Sequence, residues 1–263
     1  MKVSAVIKAI EGLSGHRLNS EEGLFHGSMD SEVKGVTVCW MASPDAIESA
    51  GKKGDGLIIA HESLYFPYEL GDSRKHTPDW PEWKTNKQRK DLLEKYNINL
   101  IRVHSSADKF NILDDFAAKL GLGQAVQNEY PVKIYEIPAT TLKDMLKRVS
   151  SSLNMKDMRY TAPLGLDAKV HRIGLPWGGM GLFVNVSYQE ALIKNSVDLL
   201  IAGETDNYGF RFPLECGIPM IETSHEISEN PGLANYTKAL ADKMPELKFN
   251  FFENKCIWQN YRA

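Results

Sequence analysis

The stretch Asp55-Gly56-Leu57-Ile58-Ile59-Ala60-His61-Glu62 sets an acid and a glycine before four apolar residues, with two metal-capable side chains after them. A bounded apolar run that short has the length of a buried strand, and a core helix would need a longer one. Just upstream, Ser43-Pro44-Asp45-Ala46-Ile47-Glu48-Ser49-Ala50 reads as a helix. Ser43 can cap it, Pro44 suits the first helical position, Asp45 sits where the helix dipole favours a negative charge, and Gly54 and Gly56 close it. Val33-Lys34-Gly35-Val36-Thr37-Val38 reads as a strand before that helix. Strand, helix and strand in succession predict an α/β protein.

The same punctuation continues outward. Residues 97–103 read as a strand and 110–121 as a helix ended by glycine. Further strands are expected near 133–137, 172–175, 199–202, 219–222 and 248–252, with helices over 141–154, 188–195 and 231–243. The opening Met1-Lys2-Val3-Ser4-Ala5-Val6-Ile7-Lys8-Ala9-Ile10 is broken by lysines at helical spacing, so it reads as an amphipathic helix and not as a signal peptide. Residues 67–85, with Pro78, Trp80, Pro81 and Trp83, read as a long loop and a candidate lid.

An internal echo suggests two similar halves, 1–128 and 129–263. Asp55 to Glu62 parallels Asp198-Leu199-Leu200-Ile201-Ala202-Gly203-Glu204. Downstream, Leu100-Ile101-Arg102-Val103-His104 runs into Asp108, as Met220-Ile221-Glu222-Thr223-Ser224-His225 runs into Glu229. Related halves of this kind would bring equivalent strand ends to one shared cleft, where open α/β sheets bind ligands.

Composition narrows the class of function. With 43% hydrophobic and 25% charged residues, the chain resembles neither a disordered nor a membrane protein. Its 31 basic and 34 acidic residues leave a net charge of −3, so no overall attraction to nucleic acid or anionic lipid is expected. The basic run Lys84-Thr85-Asn86-Lys87-Gln88-Arg89-Lys90 is better read as a solvated helix face. Cys39, Cys216 and Cys256 are odd in number and widely spaced, which argues against a disulfide framework or thiolate zinc site and for a reduced cytoplasm.

Imidazole and carboxylate are the usual protein ligands of zinc, manganese and iron. They occur here at three expected strand ends: His61-Glu62, His104 with Asp108, and His225 with Glu229. A spacing of four puts two side chains on one face if a helix begins there. The spacing alone carries little, since 34 acids in 263 residues and seven histidines give about one such pair by chance. His26 with Asp30 is set aside as a surface turn, because no apolar strand is expected before it. Glu226, beside His225, is expected to face solvent.

Ala60-His61-Glu62-Ser63-Leu64-Tyr65-Phe66, Val103-His104-Ser105-Ser106-Ala107-Asp108, Ile201-Ala202-Gly203-Glu204 and Ser224-His225-Glu226-Ile227-Ser228-Glu229 resemble, in order, the signatures of the Ngg-interacting-factor-three-like family. Its members are dinuclear-metal proteins often labelled GTP cyclohydrolase type-two homologues. Pro176-Trp177-Gly178-Gly179-Met180-Gly181 is similar to the family's glycine-rich strand end. The resemblance runs from about Lys34 to Trp258. It implies two divalent metal ions, of manganese, iron or zinc, held by His61, Glu62, His104, Asp108, His225 and Glu229, and a ring-shaped homohexamer. One departure stands out: the family's first motif has two adjacent histidines, and here the second is Glu62. Carboxylate is a harder ligand than imidazole, which tilts the site toward Mn²⁺, Fe²⁺ or Mg²⁺.

Three carboxylates against two divalent ions leave a positive remainder that suits a small anionic substrate. The expected activity is metal-dependent hydrolysis of a nucleotide-like or other small anion, with no membrane or nucleic-acid partner. The alternative is a regulatory or chaperone-like metal-binding protein without turnover. Glu204 occupies the place of Glu62 in the echo, so it is a candidate to orient a histidine or act as a general base, or else a capping or salt-bridged acid. The glycines at 178, 179 and 181 free backbone amides that could cradle a phosphate, a weak signal without the Lys-Ser/Thr of a P-loop.

Overall fold

A computed structural model of the chain describes residues 1–66, 77–259 and 261. The chain divides into two compact units, Met1–Ile112 with Gly232–Asn254, and Leu113–Pro231 with Lys255–Ala263. The α/β class expected from the alternation is the class observed. Residues 67–76 of the expected loop and lid lie outside the described residues.

In the first unit, β1 (Gly23–His26), β2 (Gly35–Cys39), β3 (Leu57–Ala60), β4 (Asn99–Arg102) and β11 (Lys248–Phe252) form one sheet in the order β1-β4-β3-β2-β11. β11, β2, β3 and β4 are parallel, and β1 closes the edge antiparallel to β4. Every residue of β2, β3 and β4 is buried, as strands of a parallel sheet covered on both faces must be. The helices of this part are α1 (Val3–Ser14), α2 (Pro44–Lys53), α3 (Lys84–Tyr96) and the single turn α4 (Ser105–Ala107). Val3, Val6, Ile7 and Ile10 of α1 form the buried stripe expected of an amphipathic helix. Each such side chain contributes about 1.5–3 kcal/mol by leaving water. Between α2 and α3, a Cβ on Gly51 would run into the ring of Tyr96, so glycine lets the two helices approach.

In the second unit, β5 (Ala125–Glu129), β6 (Val132–Thr141), β7 (Arg159–Tyr160), β8 (Lys169–Gly174), β9 (Leu199–Ala202) and β10 (Met220–Glu222) form a sheet in the order β5-β6-β8-β9-β10-β7. β8, β9 and β10 are parallel, and the other pairings are antiparallel. Its helices are α5 (Leu113–Lys119), α6 (Leu142–Leu153), α7 (Val186–Lys194) and α8 (Asn207–Glu215). A further helix, α9 (His225–Lys243), contributes its residues to both units, which divide between Pro231 and Gly232.

Three local expectations are corrected. Ser43 precedes α2, but its hydroxyl turns to the Asp45 carboxylate and makes no side-chain capping bond. His26 ends a short strand instead of lying in a turn, while Asp30 is exposed and pairs with Lys2. The helix expected from Pro231 begins six residues earlier, at His225. Residues 129–263, read as one half, include β11, whose partner is β2 of the first sheet. No helix among the described residues is long and apolar enough to cross a membrane.

Candidate metal centre

β3 and β4 are parallel neighbours in a register that pairs Ala60 with Arg102, so both strands end at the same level. His61 and Glu62 follow the first, Val103 and His104 the second. The carbonyl of Trp40 accepts the amides of His61 and Glu62, at 3.1 and 2.7 Å, which fixes the backbone of both. The His61 ring is buried and its Nδ1 lies 3.1 Å from the Val103 carbonyl. A carbonyl only accepts, so Nδ1 carries the proton and Nε2 keeps its lone pair for a metal.

That Nε2 lies 3.8 Å from Asp108 Oδ1, and His104 Nε2 lies 3.6 Å from Glu62 Oε1. Donor atoms of His61, Glu62 and His104 all fall within 4.8 Å of one another. The sequence paired His104 with Asp108 by spacing, whereas these two close contacts run crosswise between the strand ends. Glu62 is buried, and its second oxygen faces the buried guanidinium of Arg102 at 3.7 Å.

In the second unit β9 and β10 repeat the arrangement, with Ala202 paired to Glu222. Gly203 and Glu204 follow β9, and Thr223 and Ser224 join β10 to α9. Ser224 adopts φ +90°, a backbone region that non-glycine residues avoid at a cost of about 1–3 kcal/mol. Its amide donates to the Gly203 carbonyl at 2.7 Å, and the helix starts directly afterwards at His225. His225 Nδ1 lies 3.1 Å from Glu204 Oε2, while its Nε2 lies 3.5 Å from Glu229 Oε1 one turn along the helix.

These distances sort the contacts. At 3.1 Å, the carbonyl of Val103 and the carboxylate of Glu204 are hydrogen-bond partners that hold a proton on Nδ1. At 3.5–3.8 Å, the Nε2–carboxylate pairs are too long for hydrogen bonds. They match two donors that each stand about 2.1 Å from a shared ion, which places them roughly 3–4 Å apart. The donor set, imidazole nitrogen with carboxylate oxygen, also fits zinc, manganese or iron.

The glycine-rich segment forms a wall beside this histidine. Gly178 has φ +51°, and a Cβ there would collide with Glu229 Oε1 and come within 3.1 Å of His225 Nε2. Its amide is taken by the Ser228 hydroxyl and that of Met180 by the Trp177 carbonyl, so these two amides are not free to cradle a phosphate. Glu226 corrects the expectation of a solvent-facing side chain: it is only 5% exposed, and burial raises its carboxyl above the ordinary range. Two residues beside the centre do not stand out as site residues by motif: Arg102, which faces Glu62, and Glu22, whose carboxylate accepts the His104 amide. Arg102 had a visible signal, a charge inside the apolar strand Leu100-Ile101-Arg102-Val103, whereas Glu22 had none.

Solved structures share this architecture. The Staphylococcus aureus hypothetical protein SA1388 superposes with a TM-score of 0.79 at 17% identity, covering 100% of this chain and 99% of that one. The protein ybgI, of unknown function, gives 0.79 at 19% identity, with 97% and 99% covered. Reduced HcgD from Methanocaldococcus jannaschii gives 0.72 at 16%, with 95% and 97% covered. Identities this low establish the fold alone. No curated protein matches the sequence. Residues 1–257 do match the profile of one family, Duf34/NIF3 (NGG1p interacting factor 3), and the chain belongs to it.

Proposed function

We propose that this chain is a dinuclear metal-dependent hydrolase in which His61, Glu62, His104, Asp108, His225 and Glu229 share one centre and a small anion, nucleotide-like in the first instance, is the substrate. The observation that carries the reading is the repeated geometry in both units: an imidazole whose Nδ1 is tied to an acceptor and whose Nε2 stands 3.5–3.8 Å from a carboxylate. The two similar strand-end arrangements, one in each unit, support the internal echo.

When bound, a pair of divalent ions supplies Lewis acidity and a water that loses its proton near neutral pH. The chain's own groups do the rest. The Val103 carbonyl and Glu204 hold His61 and His225 in the tautomer that leaves Nε2 to coordinate, which makes Glu204 an orienting carboxylate. Glu62 and Glu229 are buried, so their charges act in a medium where electrostatic attraction is stronger than in water. Asp108 and His104 are the more accessible donors, with side chains 14% and 31% exposed, and they mark the side from which a small substrate approaches. The three carboxylates leave two divalent cations under-neutralised, which favours an anion. The cytoplasm and a homohexamer complete the proposal.

Elemental analysis of the purified protein, with a phosphatase, nucleotidase and cyclohydrolase screen in added Mn²⁺, Fe²⁺ and Zn²⁺, tests it. We expect about two ions per chain, turnover abolished by chelation, and a Glu229→Ala variant that stays folded but loses at least about 100-fold in metal-dependent activity. Anomalous diffraction that puts His61 and His225 on unconnected ions would end the shared-centre reading. Disassembly on chelation, with no activity in the screen, would favour the regulatory alternative.

A further inference from the structure

β1 runs antiparallel to β4 with Gly23 paired to Arg102, and that register carries the preceding residue, Glu22, level with the end of β4 where His104 begins. Glu22 is 9% exposed, and its carboxylate has donors on both oxygens. Oε1 accepts the amides of His104 and Ser106, each at 2.9 Å, and Oε2 accepts the Ser106 hydroxyl at 2.9 Å and the Asn19 amide at 3.2 Å. Asn19 adds a second tie, donating through Nδ2 to the Ser105 hydroxyl at 2.7 Å.

The amides that open a helical turn have no partner inside the turn and need one from outside. A nearby serine or aspartate normally supplies it. Here Ser105 and Ser106 stand in the turn itself, yet α4 has no local side-chain cap, and the acceptor comes from 82 residues away. The turn starts from an unusual backbone, with φ −102° and ψ −87° at His104, and the His104 carbonyl accepts the amides of Ala107 and Asp108. One carboxylate thus anchors the turn that presents both His104 and Asp108, whose side chains face Glu62 and His61. Burying a carboxylate is more costly than using a local hydroxyl cap, so this arrangement suits a turn whose geometry must be held closely.

We propose that Glu22 is a positioning residue of the metal centre: bound to no metal itself, it fixes the His104–Asp108 turn so that one donor meets each partner on β3's end. This rests on the reading that His104 and Asp108 hold metal.

The test uses the full chain and the metal alone. Wild type, Glu22→Ala, Glu22→Asp, Glu22→Gln, His104→Ala and the control Asp55→Ala are titrated with Co²⁺ against a chromophoric chelator, recording affinity and the cobalt absorption bands. Amide exchange at His104 and Ser106 is followed in metal-free protein. Asp55 is a buried carboxylate of the same unit, bonded to Thr37 and Asn250, and controls for general loss of stability.

We expect Glu22→Ala to speed exchange at both amides, weaken Co²⁺ about 10- to 100-fold and shift its bands. Glu22→Gln, which keeps an oxygen for both amides, should recover most of the affinity, and Asp55→Ala should stay within about twofold of wild type. If Glu22→Ala does not fold, the shorter but still charged Glu22→Asp carries the comparison, with a loss of at least about 10-fold expected. Faster exchange with unchanged affinity and bands would overturn the proposal, leaving Glu22 a cap and nothing more. If His104→Ala also leaves affinity unchanged, the metal reading itself fails and takes the proposal with it; if His104→Ala weakens binding and the Glu22 variants do not, only the proposal fails.

Discussion

Gly178 is where a single missing methyl group matters most. Glu229 occupies the space a Cβ would need, and the backbone there is left-handed, a conformation that costs an L-residue about 1–2 kcal/mol. Gly178→Ala should therefore displace the Glu229 carboxylate and lower metal affinity at least about 10-fold, with a modest fall in melting temperature; competition titration and calorimetry on the same sample check both. A full-affinity alanine variant would show that Glu229 does not bind from the position seen. At this scale the candidate donors were legible, because few residue types bind divalent metals and His61, Glu62 and His104 stand directly after apolar runs. Burial was not. Glu226 sits beside His225 in sequence, but whether a side chain one position round a helix meets solvent depends on what covers that face. Here that face is covered, and the Glu226 side chain is buried.

Helix α6 shows how an element can be written locally. Thr141 accepts the Asp144 amide at 3.1 Å and donates its hydroxyl to the Asp144 carboxylate at 2.9 Å, a capping pair three residues apart. Thr141→Ala should cost about 1 kcal/mol, seen as a lower denaturant midpoint at unchanged slope. A variant as stable as wild type would mean the first turn is held by packing alone. The expected span 141–154 and the observed Leu142–Leu153 agree closely for this reason. Helix α8 was missed because Gly209 and Pro213 lie within it, and both oppose helix on propensity. It forms because Asp206 caps the amides of Tyr208 and Gly209, and because a side chain at 209 would meet the Gly181 carbonyl, a contact that only glycine permits. The start of α9 was misplaced for a related reason: Pro231 looks like a first helical residue, and it is instead carried inside a helix that His225 begins.

For the molecule as a whole, the α/β class was legible, because strand-length apolar runs alternate with amphipathic helices throughout. Sheet membership was not, since an apolar run does not say which neighbour it will pair with. Lys248-Phe249-Asn250-Phe251-Phe252 follows every strand of the second sheet and yet lies beside β2 in the first, with Asn250 reaching Asp55 at 2.9 Å. A chain stopped before Lys248 should leave β2, all of whose residues are otherwise buried, as a bare sheet edge. We expect such a chain to aggregate, by light scattering at micromolar concentration, at temperatures where the intact protein stays clear; a monodisperse truncated protein would contradict the pairing's importance. The order of translation gives β11 a further consequence. While a ribosome is producing the chain, the strands that carry His61 and His104 emerge early, but the outermost member of their sheet emerges only after the whole second sheet has been made. The nascent first sheet must then wait with an apolar flank uncovered, in the interval when a holding chaperone would be of most use to it.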